Sequence, residues 1–326
     1  MHWERSPSDA RTQRCQGFLM GEIAQQAAIV VGVLAACFVG PAVAIGFLVV
    51  RKRRARSRRR SPIGIALLRS PGHTLREQLE EAQNDVTADV FVLMAMPLLV
   101  LATFLAQSHL RGLQGMMHLA PIYVVLALAF VAFTVRKLLK AGERLDNLKA
   151  GYDAELAVGQ ELDQLMRLGA VVFHDIPADN FNIDHVVISS EGVFAVETKG
   201  FTKPKQGRGR ADATVVFDGK VLRFPTWTTK APLEQAERQA AWLAKWLTSA
   251  VGSPVRVLPV VALPGWFVEL TGRGGVSVFN GKQLTGLLRS RGAQHLSASD
   301  VQRVAHQVEQ RVRTVAPRYA EQERAS

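Results

Sequence analysis

The chain has 326 residues, of which 48% are hydrophobic, and a mean hydropathy of +0.08, high for a soluble protein. Lys and Arg number 40 against 28 Asp and Glu, a formal charge of 40 − 28 = +12. A chain both apolar and basic argues against disorder and against an ordinary cytosolic enzyme, and two cysteines, Cys15 and Cys37, exclude a disulfide framework and argue against structural zinc.

The charge is uneven. Residues 1–150 carry 19 Lys/Arg and 10 Asp/Glu, a net of +9, while residues 151–326 carry 21 and 18, a net of +3. Eight positive charges lie in the run from Arg51 to Arg60 (RKRRARSRRR), which holds no acid.

In chain order, residues 1–22 are polar and without a motif. Residues 27–50 follow with no charged side chain. As a helix they reach about 36 Å, longer than the ~30 Å hydrocarbon core, so a first membrane span is expected there. The basic run comes directly after it and reads as a topology signal and a contact for anionic lipid, with nucleic acid as the other reading. Residues 74–86 (TLREQLEEAQNDV) read as a separate amphipathic helix beneath the membrane, with Thr74 as N-cap. Residues 90–107 and 119–135 are two shorter apolar runs separated by 108–118, which holds one full charge, Arg111. They suggest a helical hairpin crossing twice. Ten Lys/Arg in 51–87 and five in 136–150 then place both basic segments, and everything after about residue 140, in the cytoplasm of a multi-pass (inner) membrane protein.

The remainder reads as one α/β domain with a mixed sheet. Residues 154–168 suit a helix, 170–173 a short strand, and 183–188 with 193–199 a hairpin turning at Gly192. Residues 214–217 and 220–224 flank Asp218-Gly219, a two-residue hairpin signal. A helix is expected over 232–250, a buried-type strand over 255–263 that Pro259 keeps from a fully central place, a strand over 276–279, and helices over 281–288, capped by Asn280, and 297–315.

The chemistry concentrates in FNIDHVVIS and FAVETKG. Glu197 and Lys199 are two residues apart, hence on one strand face, and Asp184 can meet Glu197 across the hairpin. Two carboxylates converging at a sheet edge suit a hard divalent cation. A lysine beside them can orient or deprotonate a water and steady a phosphate. His185 points to the other face and reads as packing or a hydrogen bond. Glu161 lies in the preceding helix, and Lys203, Lys205, Arg208 and Arg210 follow the motif with no intervening acid, either gripping phosphates or forming a solvated loop.

Asp184 followed by Glu197-Thr198-Lys199 resembles the D…(D/E)xK signature of the PD-(D/E)xK nuclease superfamily. The finer likeness is to the nuclease-related domain, NERD. It rests on Gly159-Gln160-Glu161, Phe173-His174-Asp175-Ile176, Asn182-Ile183-Asp184-His185, Gly192 through Gly200, and Pro232-Leu233-Glu234-Gln235, and covers roughly 153–290. The resemblance implies a restriction-endonuclease-like core and Mg²⁺- or Mn²⁺-dependent phosphodiester hydrolysis of DNA or RNA. Asp184 and Glu197 would ligate the metal with the Thr198 carbonyl, Lys199 would position the water, Glu161 would support the metal, and Gln235 would orient a phosphate or Lys199. The expected organisation is a polar N-terminus (1–22), a transmembrane region (23–140) of about three helices with a basic loop at 51–87, a NERD-like domain (150–295) and a C-terminal helix and tail (296–326). The function expected is a membrane-anchored nuclease; the alternative is a tethered nucleic-acid-binding or scaffolding module whose site is idle.

Overall fold

The computed structural model describes residues 43, 46–51, 54, 62–111, 119–204, 209–289 and 294–317. The elements are β1 (Leu67–Leu68), α1 (His73–Arg111), α2 (Ala120–Asp163), β2 (Val171–Pro177), β3 (Asn182–Ser189), β4 (Gly192–Thr198), β5 (Thr214–Phe217), β6 (Leu222–Arg223), β7 (Thr228–Thr229), α3 (Ala231–Val251), β8 (Val257–Ala262), β9 (Phe267–Leu270), β10 (Ser277–Phe279), α4 (Ala298–Val312) and β11 (Arg313–Val315). The chain divides into two compact units, one containing Asp85–Lys140 and the other Ser61–Asn84 with Ala141–Ala325.

In the first unit, α1 and α2 are each long and apolar enough to cross a membrane. Their large side chains face outward: Phe91, Met94, Leu98, Leu128 and Phe133 are all exposed. Tyr123 donates to Gln107 at 2.8 Å, Phe104 packs edge-on to Tyr123, and Lys137 pairs with Asp89 at 2.6 Å, so the two helices are tied as a hairpin. The polar N-terminus, most of the expected first span and most of the Arg51–Arg60 run lie outside the described residues; Val43 and residues 46–51 are helical and exposed. The expected amphipathic helix over 74–86 is not separate. Nothing between Val86 and Val90 breaks a helix, so α1 runs from His73 to Arg111 without interruption. Likewise the helix expected from 154 is the end of α2, which begins at Ala120.

The second unit has three layers around a five-stranded mixed sheet, ordered β10-β8-β4-β3-β2. Strands β2, β3 and β4 form an antiparallel meander, and β4, β8 and β10 run parallel. On one face α3 and α4 bury Leu243, Leu247, Val304 and Val308 against Phe173, Val186 and Ala195. On the other, the end of α2 and a 3-10 segment (Gly281–Arg289) cover Val187, Phe194 and Val196 with Val158, Leu162 and Leu287. Alternating faces of β3 and β4 are therefore both buried, which is why these strands read as continuous apolar runs. A smaller sheet, β7-β6-β5-β9, packs around Trp266.

Three details depart from the sequence expectations. β8 is flanked on both sides despite Pro259. β10 covers only Val260–Ala262, so Pro259 sits where β8 has a single neighbour and its missing N–H is tolerated. The helix expected to Val315 ends at Val312, and Arg313–Val315 pairs antiparallel with Leu67–Leu68. The boundary drawn at 296 falls inside one unit, because Val304, Val308 and Val312 of α4 complete the core.

Candidate active site

The site is built at one end of the central sheet. Across β3 and β4, His185 faces Val196 and Val186 faces Ala195. The same register puts Asp184 opposite Glu197, with both side chains leaving one face. Glu197 is 1% exposed. One of its oxygens pairs with Lys199 Nζ at 2.5 Å and the other accepts from Gln239 Nε2 at 2.6 Å. The same Gln239 nitrogen donates to the Asn182 carbonyl at 3.1 Å. Asp184 Oδ2 accepts the Thr198 backbone N–H at 2.7 Å. Lys199 is held at the strand end by its own N–H, which donates to the Ala262 carbonyl at 3.0 Å.

A third carboxylate, Glu155 of α2, acts on them through its charge. Glu155 lies three and seven residues before Val158 and Leu162, on the buried stripe of that helix. Burial first, then the Asp175 and Glu197 carboxylates, push it up to about 8, with Lys199 opposing. Burial first, then Glu197 and Glu155, hold Asp184 well above the usual carboxylate range, against the pull of the Thr198 N–H and Lys199. Three acids thus share one ammonium, and the surplus negative charge raises two of them.

The close approach of α2 has a sequence cause. A Cβ on Gly200 would lie 2.7 Å from Ala154 Cβ and 2.8 Å from the Ala150 carbonyl oxygen. Only glycine can follow Lys199 if the helix carrying Glu155 is to reach it. At Gly159 a Cβ would meet Pro71 at 2.6 Å, so the segment before α1 packs directly on α2.

That segment is fastened beside the site. Asp175, 3% exposed, accepts from Arg69 at 2.8 Å, from the Thr74 hydroxyl at 2.8 Å and from the Thr74 N–H at 3.2 Å. Its other oxygen accepts from Asn182 Nδ2 at 3.2 Å. Asn182 therefore links this cluster to Gln239 and Glu197. Asp175 adopts φ 51, an uncommon conformation for a residue other than glycine. On the opposite sheet face, His185 Nδ1 and His174 Nδ1 lie 2.9 Å apart, and His174 Nε2 is 3.0 Å from Asp163. Burial and the neighbouring His174 hold His185 well below the usual histidine range.

Of the residues singled out in the sequence, Asp184, Glu197, Thr198 and Lys199 come together. Glu161 does not join them. Its carboxylate accepts from Gln164 at 3.3 Å on α2, and the acids that act on Asp184 are Glu197 and Glu155. Gln235 is half-buried one turn before Gln239 and makes none of the contacts to Glu197. Both placements are legible afterwards as periodicity. Gln239 is a polar residue inside the buried stripe Ala236-Ala240-Leu243-Leu247, and Glu155 stands on the buried stripe of α2. Lys203 and Arg210 are exposed; Lys205 and Arg208 lie outside the described residues. Among the described residues, no group of three or more His, Cys, Asp or Glu is placed so as to hold a metal ion.

Residues 150–264 match the family described as NERD, the nuclease-related domain. The match spans roughly a third of the chain and contains Glu155, Asp184, Glu197, Lys199 and Gln239. No curated protein and no solved structure matches the chain.

Proposed function

We propose that this nuclease-related domain is a divalent-cation-dependent nuclease of the PD-(D/E)xK kind, hydrolysing phosphodiester bonds while the helical hairpin α1–α2 holds it at a membrane. The observation that carries the reading is Asp184 and Glu197 on one face of paired strands with Lys199 paired to Glu197, the charge of Glu155 acting on Asp184 from α2. Three carboxylates against one ammonium, two of them raised by burial and mutual repulsion, make a site that favours a hard cation with oxygen ligands. Gln239 Oε1 is a second support. It is buried without a hydrogen-bond partner among the described residues, while its amide nitrogen is fixed by Glu197 and Asn182. It is therefore an acceptor aimed by the fold and available to a water.

Asp184 and Glu197 would hold the metal, with the Thr198 carbonyl and Glu155 in support. Bound Mg²⁺ or Mn²⁺ supplies Lewis-acid stabilisation of phosphate charge and lowers the pKa of water. Lys199, tethered by Glu197, orients the attacking water and stands against the charge that grows on the phosphate. Gln239 keeps Glu197 from turning away. The basic residues of the first half act at the membrane, with Arg51 to Arg60 against anionic lipid on the cytoplasmic side.

The test is Mg²⁺- or Mn²⁺-dependent cleavage of plasmid and single-stranded substrates by the full chain in detergent. The Asp184→Asn and Lys199→Ala proteins should lose at least a hundredfold in rate. Cleavage that survives both substitutions would sink the site. Binding that weakens with salt, with no cleavage of any substrate, would favour the idle nucleic-acid-binding module. A reporter fused after residue 326 should read cytoplasmic; a signal from the far side would overturn the orientation.

A further inference from the structure

The chain leaves the site through Lys199-Gly200-Phe201, and Phe201 enters an aromatic cluster that the catalytic reading does not use. Trp266 lies at its base, fully buried, donating its indole N–H to the Phe201 carbonyl at 3.1 Å. Phe224 packs edge-on to Trp266 at 4.8 Å and to Phe201 at 5.2 Å. Trp227 is the outermost layer. It stacks on Phe224 with ring centroids 4.1 Å apart and planes 7° from parallel, and packs edge-on to Phe201 at 4.8 Å. The turn that carries it is closed by the Phe224 N–H donating to the Trp227 carbonyl at 2.8 Å. The ring is thus held rigidly, yet Trp227 is 37% exposed.

A fully buried Trp266 and a 6% exposed Phe224 already close the core beneath. Trp227 adds a flat, open aromatic surface outside that core, one side chain away from the residue two positions after Lys199. Cations stand at the loop that starts there. Lys203 is exposed, with Nζ 3.5 Å from the position of a Cβ on Gly265, and Arg210 lies with its guanidinium 4.4 Å over the exposed ring of Phe267. Neither pairs with a carboxylate among the described residues. The combination of a rigid exposed aromatic with exposed cations is what a nucleobase and its flanking phosphates require. Inside a duplex both faces of a base are covered by its neighbours, so an unpaired strand suits such a surface far better than paired DNA.

We propose that Trp227, backed by Phe224 and Phe201, is a base-stacking platform, and that with Lys203 and Arg210 it makes single-stranded nucleic acid the ligand delivered to Lys199. The proposal rests on the nuclease reading for what happens after binding, but not for the binding itself. The stack sets the preference for unpaired bases, and the two cations track the phosphates on either side.

The experiment is equilibrium binding of a fluorescent 20-mer, single-stranded or annealed to its complement, to the full chain in detergent with Ca²⁺ in place of Mg²⁺. Single-strand affinity should exceed duplex affinity. Trp227→Ala should weaken the single strand about 5- to 150-fold, the value of one stacked base, and leave the duplex within about twofold. Trp227→Phe should recover most of the loss, which a merely unfolded domain would not allow. Lys203→Ala and Arg210→Ala should each flatten the salt dependence of single-strand binding by about 0.7 in log–log slope. Equal affinity for both forms, or a Trp227→Ala protein that binds the single strand as wild type does, would overturn the platform while leaving cleavage by Lys199 untouched. A wild-type protein that never cleaves, but whose single-strand preference vanishes in Trp227→Ala, would uphold the platform and remove the nuclease reading.

Discussion

Glu155 gives the sharpest test of the site, because its environment converts into a dependence of stability on pH. Its carboxyl is pushed from 4.5 up to about 8. Below pH 4.5 folded and unfolded chains both hold the proton, and Glu155 contributes nothing. Between 4.5 and about 8 the unfolded chain has released the proton and the folded chain has kept it, so stability falls as pH rises. Above about 8 the full cost is present. At about 1.36 kcal/mol per pKa unit the difference has a ceiling of roughly 5 kcal/mol. For a domain of this size that is at most about 10–20 °C in Tm. Replacing Glu155 with Gln removes the titration and keeps the shape. Thermal melts of the full chain in detergent from pH 5 to pH 9 should therefore show wild type losing Tm with alkalinity, and Glu155→Gln losing much less. Asp184, raised in the same direction, leaves the variant a residual slope. Added Mg²⁺ or Mn²⁺ should raise the wild-type Tm more at pH 9 than at pH 5, since the cation competes with the proton for the same oxygens. Parallel pH curves for wild type and Glu155→Gln would refute the shared-charge account of the site.

Four further outcomes follow from the same geometry. Gln239→Leu removes the donor to both Glu197 and the Asn182 carbonyl. It should cost about 1–3 kcal/mol in a urea melt and lower kcat more than KM, because Lys199 loses a fixed partner. Gly200→Ala forces a methyl to within 2.8 Å of the α2 backbone. It should destabilise by about 1–3 kcal/mol and lower the rate while leaving the α/β circular-dichroism signature intact. Arg69→Met leaves buried Asp175 without its ion-pair partner, a change that costs about 3–5 kcal/mol when such a pair is broken. A protein begun at residue 141 lacks Arg69, Thr74 and β1 altogether, so it should melt well below the full chain; equal melting temperatures would show that residues 62–84 are not part of the folded domain.

Much of this protein was readable from local pattern. The hairpin of β3 and β4 follows from alternation and from Gly192, and alternation alone puts Asp184 and Glu197 on one face with Lys199 two residues on. The apolar runs at 90–107 and 119–135 announce α1 and α2 as possible spans through composition. Side-chain order also carries the likeness to the nuclease-related domain. These properties are local: a strand's period and a helix's hydropathy depend only on neighbouring residues.

What local pattern does not contain is which distant helix faces which strand. Glu161 and Glu155 lie on the same helix, and only the packing of α2 against Gly200 selects Glu155. Gln235 and Gln239 lie one turn apart on α3, and only the burial of the Ala236–Leu247 stripe brings Gln239 to Glu197. The segment around Arg69 and Thr74 belongs to the α/β unit because Asp175 is buried where those two donors can reach it, a contact across about a hundred residues that no periodicity announces. Nor does the charge of +12 locate a nucleic-acid surface. Sequence assigns most of it to the basic run before the hairpin. The tertiary fold is what sets Trp227 on Phe224 and beside Phe201, at the point where the chain leaves Lys199.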